Sequence, residues 1–408
     1  MRKNSVFIMC LYLFGIDQSK GREMELKVGV NLWQALQWAE DTQYGNRGRL
    51  IRELDILQKL NIDHVRILAS AQGSLNENEK LENRIFPSSE ISPGVFRRES
   101  DEALDFLFGE LEKRKMKAIV VLNNFWHWSG GFSQYQMWTN NIQYKLEIAK
   151  GYGAKAKVVE MYPIFKMAST FFEDANAQEM YIKSSIRILQ KFSKWYPKVI
   201  WSWQLANEPT PLGNQEKFYL WVDQTIKTFK EILPNQDFSL GGVGTGPIPL
   251  VGTYTSLKRV YQSKNFSLLT VHLWPENWGW YYPLGFSNAS FMLTKLLSKI
   301  YLWYHAWKAK QLGVPMILEE VGFARDGRGF NKKTSRNYRN KFFTFVIREL
   351  KSLKDRGYPV VGITFWAWGG EGDPEKTTVG DPPHEPQGWY SIFSDDEDTM
   401  NLIKKINQ

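Results

Sequence analysis

The sequence predicts a single (β/α)8 barrel with long loops on one face. Three observations carry this: eight short apolar runs rich in Val and Ile, amphipathic helical patterns between them, and a consistent asymmetry in connection lengths. The runs fall at residues 27–32 (KVGVNL), 64–68 (HVRIL), 118–123 (AIVVLN), 199–205 (VIWSWQL), 237–242 (DFSLGG), 268–273 (LLTVHL), 316–320 (MILEE) and 360–366 (VVGITFW). Each has strand length and β-branched content, as buried parallel strands require. Between them, Leu104, Leu107, Phe108 and Leu111, and then Ile182, Ser185, Ile186 and Leu189, recur at the i, i+3, i+4, i+7 spacing of a helix with one buried face.

The connections indicate which end of the barrel carries a site. Turns entering strands are short and hold breakers, as in Tyr196-Pro197-Lys198, Leu312-Gly313-Val314-Pro315 and Arg356-Gly357-Tyr358-Pro359. Segments leaving strands are long: Ala69 to Ser100, Asn124 to Ala175, Trp274 to Phe286, and the Gly/Pro/acid-rich stretch from Trp366 to Trp389. Long loops after strands are where barrel enzymes build their sites. Linkers, repeats and low-complexity tracts are absent, so residues 23–408 read as one catalytic domain.

Composition narrows the function classes. With 43% hydrophobic and 23% charged residues over 408 positions, the chain can bury a large core without staples. The single cysteine, Cys10, excludes an intramolecular disulfide framework and a cysteine-based zinc site. The five histidines form no HExxH pair or close cluster, so no metal centre is expected. The net charge of +9 raises nucleic acid as a partner, but the basic residues are scattered among acids and no nucleic-acid partner is expected. The densest run, Lys113 to Lys117, reads as the solvated end of a helix. Aromatics make up 15% of the chain, including 17 Trp, and stacking on the apolar faces of sugar rings is one use that would explain them.

At the N-terminus Arg2 and Lys3 precede an apolar stretch from Val6 to Ile16, the length of a signal-peptide core and too short to span a bilayer. Residues 1–22 are therefore expected to direct export to the periplasm, the cell surface or the medium. No later segment reaches membrane-spanning length, and a monomer is expected.

Polar residues at strand ends mark the candidate chemistry. In Trp201-Ser202-Trp203-Gln204-Leu205-Ala206-Asn207-Glu208-Pro209 a polar pair follows an apolar strand, placing Glu208 at the barrel rim. Met316-Ile317-Leu318-Glu319-Glu320 closes the seventh strand with two acids where a buried strand should hold none. Two carboxylates converging from different strand ends are what glycosidic bond cleavage needs. Arg66 sits in an apolar strand, where an unpaired guanidinium is costly and calls for an anion. His272 ends the sixth strand and Trp366 the eighth, the place for a floor beneath a sugar ring.

The strings WSWQLANEP, HLWPENWGWY, LEEVGFARDG and FWAWGGEG followed by GDPPHEPQG, with SPGVFRRESDEALDFLF and NNFWHWSGGFSQYQMW upstream, resemble the mannan-degrading members of glycoside hydrolase family 5, and in particular the endo-1,4-β-mannanases. The likeness runs from Gly29 to about Phe393. It implies Glu208 as general acid/base, Asn207 as a ligand of the sugar 2-hydroxyl, and Glu320 as nucleophile, since the family's nucleophile precedes an x-Gly pair. Strand alternation agrees, allowing only one of Glu319 and Glu320 to face the barrel axis. Arg66, His272 and Trp366 fall on the nucleophile-supporting arginine, the active-site histidine and the sugar-stacking tryptophan, and Trp126 lies in the matching strand-three loop. Many family members carry a tyrosine two residues after the histidine, touching the nucleophile; here Trp274 stands there, and its indole N–H is expected to donate in its place.

The resemblance implies endo-cleavage of β-1,4-mannosidic bonds in a mannan-type polysaccharide by double displacement with retention, without metal or organic cofactor. Glu208 would need a raised pKa to stay protonated, with Arg66 keeping Glu320 charged. Two alternatives are a β-1,4-glucanase with the same machinery and a non-catalytic carbohydrate-binding barrel that uses Trp126, Trp128, Trp278 and Trp280. The latter would be expected to lack one carboxylate. A GxSxG elbow and a P-loop are absent, and Gly241 to Gly246 lacks the spacing of a dinucleotide fingerprint and reads as a loop leaving strand five.

Overall fold

The computed structural model describes residues 25–76, 84–140, 166–247, 255–282, 287–377 and 379–407. The expected export segment lies outside these residues. Eight parallel strands form the sheet: β1 (Lys27–Asn31), β2 (His64–Leu68), β3 (Lys117–Val121), β4 (Ile200–Gln204), β5 (Phe238–Ser239), β6 (Leu269–Leu273), β7 (Met316–Val321) and β8 (Val360–Phe365). The hydrogen-bonded order runs β5-β4-β3-β2-β1-β8-β7-β6. A bridge between Ser239 and Leu268 joins the two ends, so the sheet closes on itself. All eight apolar runs of the sequence are strands of this barrel.

Among the described residues one outer helix follows each strand, α1 (Arg47–Lys59), α2 (Arg98–Lys113), α3 (Ala175–Trp195), α4 (Gln215–Ile232), α5 (Leu257–Tyr261), α6 (Ser287–Leu312), α7 (Asn337–Asp355) and α8 (Glu397–Lys404), with further helices at Ala35–Ala39 after β1 and Gly131–Asn140 after β3. Their starts follow local chemistry. Asn46 accepts from the Arg49 amide ahead of α1, Asp174 from Asn176 and Ala177 ahead of α3, and Asn214 from Lys217 ahead of α4. The apolar faces anticipated on α2 and α3 are buried against the sheet, with Leu104, Leu107, Phe108, Leu111 and Leu189 in the main core. Lys113 ends α2 as expected, and the next residue, Arg114, pairs with Asp55 and Glu110.

The barrel interior is filled by strand residues set apart from that core. Ile119, Leu268 and Ile317 form a small cluster with Trp201 and Val361. His64 lies edge-on to the Trp201 ring and bonds Thr364 at 2.8 Å. Only glycine fits opposite: a Cβ on Gly29 would come within 2.2 Å of the His64 ring. Toward the C-terminal ends of the strands the interior becomes polar, with Asn31, Arg66, Gln204, His272, Glu319 and Glu320 all buried. A closed barrel therefore delivers polar side chains from β1, β2, β4, β6 and β7 to one place.

Candidate active site

Arg66 is the hub of this cluster. Its guanidinium donates to Glu320 Oε1 at 2.5 Å, Asn207 Oδ1 at 2.8 Å, Gln204 Oε1 at 2.9 Å and Asn31 Oδ1 at 3.1 Å, and lies 3.4 Å from Glu319. The anion demanded by its apolar strand is thus a pair of carboxylates, and its remaining N–H groups are satisfied by amides. Asn207 is held from its other end, donating to Asn124 Oδ1 at 3.1 Å.

Glu208 reaches the site through an unusual backbone. Its φ of 50° lies in the left-handed region, and its N–H donates to the Gly241 carbonyl at 2.8 Å. Gly241 itself has φ +82°, and a Cβ there would sit 2.1 Å from the Ala206 carbonyl oxygen. The loop leaving β5 therefore approaches the Asn-Glu-Pro segment as closely as only glycine permits. The Glu208 carboxylate accepts from the Trp126 indole N–H at 2.7 Å and lies 2.6 Å from His272 Nδ1. The same Nδ1 is 3.2 Å from Glu320 Oε2. Ligating atoms of Glu208, His272 and Glu320 all lie within 4.8 Å of one another. Arg66 already supplies positive charge at this point.

Three expectations are corrected. Strand alternation does not exclude Glu319: β6 and β7 pair Val271 with Leu318 and then His272 with Glu320, so a bulge lets both acids face the interior. Trp274 does not take the tyrosine's place at the nucleophile. Its ring packs edge-on to Trp366 and Tyr390, at 5.7 Å and 5.1 Å, and lies over Gly322, while His272 makes the contact to Glu320. The Glu208 pKa is also not raised. Burial pushes it up, but bonds from His272 and Trp126 and the Arg66 charge outweigh that and hold the carboxyl below its ordinary range. Burial alone would lower His272. The Glu320 charge, with bonds to Glu208, Glu319 and Glu320, instead raises it well above the usual imidazole value. The two shifts run in opposite directions across the 2.6 Å contact between His272 Nδ1 and Glu208.

Trp366 is 6% exposed and belongs to an aromatic wall with Trp33, Trp128, Trp274, Trp389 and Tyr390. Asn31, Trp33, Arg66, Asn207, Trp128 and Trp366 bound a small cleft beside the acids. The strand-three and strand-eight loops meet above it, where the His384 ring stacks on Trp126 and Trp128 at centroid separations of 6.4 Å and 6.0 Å. Trp278 and Trp280 pack on each other and on Tyr301, and need no sugar to explain them.

Sequence reasoning missed Asn31, Gln204, Asn124, His384 and Glu385. Asn31 and Gln204 carried the signal that identified Arg66, a polar residue in an apolar strand. His384 and Glu385 lie in the GDPPHEPQG string that marked the resemblance, which gave them no individual role. Burial, with the neighbouring Asp381, Glu320 and Glu208 charges, raises the Glu385 pKa well above the carboxylate range. Its Oε2 and the indole N–H groups of Trp366 and Trp389 are buried without hydrogen-bond partners among the described residues. Unpaired buried donors and acceptors beside an aromatic wall suit a hydroxyl-rich ligand.

Comparison with known proteins identifies the family and the fold. The profile of the family described as "GH family 5 beta-mannosidase-like" matches residues 17–408. A glycoside hydrolase family 5 mannosidase from Rhizomucor miehei superposes with a TM-score of 0.79 at 27% identity, over 94% of this chain and 92% of that one. The endo-1,4-β-D-mannanase of Thermotoga petrophila shares the fold, with a TM-score of 0.68 at 20% identity over 94% of this chain and 99% of that one. Mannan endo-1,4-beta-mannosidase A of Podospora anserina is 24% identical over 66% of this chain and 59% of its own length. Mannan endo-1,4-beta-mannosidase 3 of rice (Oryza sativa subsp. japonica) is 24% identical over 67% and 57%. The chain thus spans a little under three fifths of the length of those two relatives. With a profile match over nearly the whole sequence and the strand-end carboxylates in place, the chain belongs to the β-mannosidase-like group of glycoside hydrolase family 5.

Proposed function

We propose that this protein hydrolyses internal β-1,4-mannosidic bonds of mannan-type polysaccharides with retention of anomeric configuration. The observation that carries the reading is the separation of Glu208 and Glu320, whose nearest atoms lie within 4.8 Å. Retaining enzymes hold their two carboxyl groups about 5–5.5 Å apart, whereas inverting ones leave about 6.5–9.5 Å for a water. Glu320, paired with Arg66, attacks the anomeric carbon. The proton shared by Glu208 and His272 passes to the departing oxygen as the glycosidic bond breaks. Glu208 then takes a proton from the water that releases the sugar. Asn207, fixed by Arg66 and Asn124, is placed to meet the 2-hydroxyl, and Trp366 supplies the stacking face.

Mannan is favoured over glucan because the named relatives are mannan endo-1,4-beta-mannosidases and mannosidases. The test is incubation with linear mannan, galactomannan, glucomannan and soluble cellulose, beside Glu320→Ala, with products sized and their initial anomer followed by proton NMR. Mixed β-anomeric mannooligosaccharides from mannan, absent with the variant, are expected. Cleavage of cellulose alone would retain the mechanism and overturn the substrate, and an initial α-product would overturn retention. A polymeric substrate accords with export by residues 1–22, for which N-terminal sequencing of secreted protein is the check.

A further inference from the structure

The bulge in β7 brings a third carboxylate beneath the reaction centre. Glu319 is fully buried, accepts from Gln204 Nε2 at 2.5 Å, lies 3.4 Å from Arg66, and approaches His272 Nε2 at 3.4 Å. On the other side of that ring, Nδ1 meets Glu208 at 2.6 Å and Glu320 at 3.2 Å. A regular strand would turn Glu319 to the helix layer, and a carboxylate in the barrel interior is expensive unless something uses it. Glutamine at this position would bond Gln204 and keep the shape. The charge is therefore the feature to explain.

We propose that Glu319 is a positioning residue for proton transfer: it keeps Nε2 of His272 protonated and the ring oriented, so that Nδ1 and Glu208 share the single proton delivered to the departing sugar oxygen. The proposal rests on reading Glu208 as the acid/base. In the first step the proton leaves the Nδ1–Glu208 pair as the Glu320–carbon bond forms and the glycosidic bond breaks; in the second, water returns it as the Glu320–carbon bond is cut. Nε2 keeps its proton throughout. The charged and titratable groups around the ring are Glu208, Glu319 and Glu320 directly, with Arg66 behind the two β7 acids. Glu385 lies near Glu208 and Glu320, Tyr301 near Glu208, and His64 and Tyr261 near Glu319.

The test compares kcat/KM against pH for the full chain and Glu319→Gln on two substrates. One is a mannooligosaccharide, whose departing hydroxyl needs a proton; the other is a dinitrophenyl β-mannoside, whose phenolate does not. On the oligosaccharide the alkaline limb of the variant is expected to move down by about one pH unit or more, because a nearby anion no longer holds the shared proton. KM and the alkaline limb on the aryl mannoside should change little. A uniform loss of kcat with unmoved limbs, or equal shifts on both substrates, would assign Glu319 a purely structural role. Histidine ¹⁵N NMR of the unmodified chain decides the matter even if the variant does not fold: Nδ1 should titrate while Nε2 stays protonated, and the reverse order overturns the proposal. A wild-type protein inactive on every β-mannoside would overturn the reading of the reaction, and the NMR result would still judge Glu319.

Discussion

Arg66 shows how one residue constrains a whole site. Buried beside Glu319 and Glu320, it places one positive charge against both acids of β7. Replacement by leucine should cost about 3–5 kcal/mol of stability, the scale for removing one partner of a buried ion pair, and should lower the melting temperature along with activity. Glu208→Gln keeps the shape and removes the transferable proton. Its kcat on mannooligosaccharides should fall about 10²–10⁴-fold, while an aryl mannoside with a good leaving group still forms the glycosyl-enzyme and accumulates it. The need for an anion near Arg66 was legible because an unpaired guanidinium in an apolar strand is expensive. The same argument applied to Gln204 and Asn31 would have located two more members of the cluster.

At the scale of elements, two loops set the geometry. The loop after β8 is tied down by Asp381, which accepts from the Gly388 and Tyr390 amides at 2.8 Å and 2.7 Å and from the Ser391 hydroxyl. These bonds hold the segment carrying His384 and Glu385 against the strand-three loop. Asp381→Ala should loosen that segment and raise KM for mannooligosaccharides by about tenfold or less, with a smaller effect on kcat, as steady-state kinetics on the folded variant would reveal. The loop after β5 depends on Gly241. Gly241→Ala forces a Cβ toward the Ala206 carbonyl at a left-handed φ, and should destabilise the fold by about 1–3 kcal/mol and displace Glu208. The Gly-rich run was legible as a loop leaving strand five. That its first glycine supports the Asn-Glu-Pro backbone was not, because strands distant in sequence meet there.

Across the whole molecule, the barrel is latched where its ends meet. Asn407 accepts from the Leu26 amide at 3.1 Å and donates to the Leu26 carbonyl at 2.6 Å, and buried Asp396 pairs with Arg325. Stability should also carry a pH signature from Glu276, whose pKa burial lifts to about 7. Its folded-state pKa exceeds the unfolded one, so between about pH 4.5 and 7 the folded protein binds the extra proton, and this group's contribution falls as pH rises through that window. Thermal melts of wild type and Glu276→Gln should coincide in acid, separate progressively between about pH 4.5 and 7, and keep a constant gap above that, with the variant the more stable. The divergence should grow by at most about 1.4 kcal/mol for each pH unit across the window.

Fold class and the strand-end acids Glu208, Glu319 and Glu320 were legible in local sequence. Eight runs of strand length and composition, alternating with helical periodicity, admit few closed topologies, and acids at the ends of buried strands are costly enough to betray a use. The tertiary structure alone decided that Glu319 joins Glu320 inside the barrel, that Trp274 turns to the aromatic wall, and that His272 stands between Glu208 and the two β7 acids. Register and bulges depend on pairing between strands, and the protonation of a buried group depends on every charge facing it, whatever its distance along the chain.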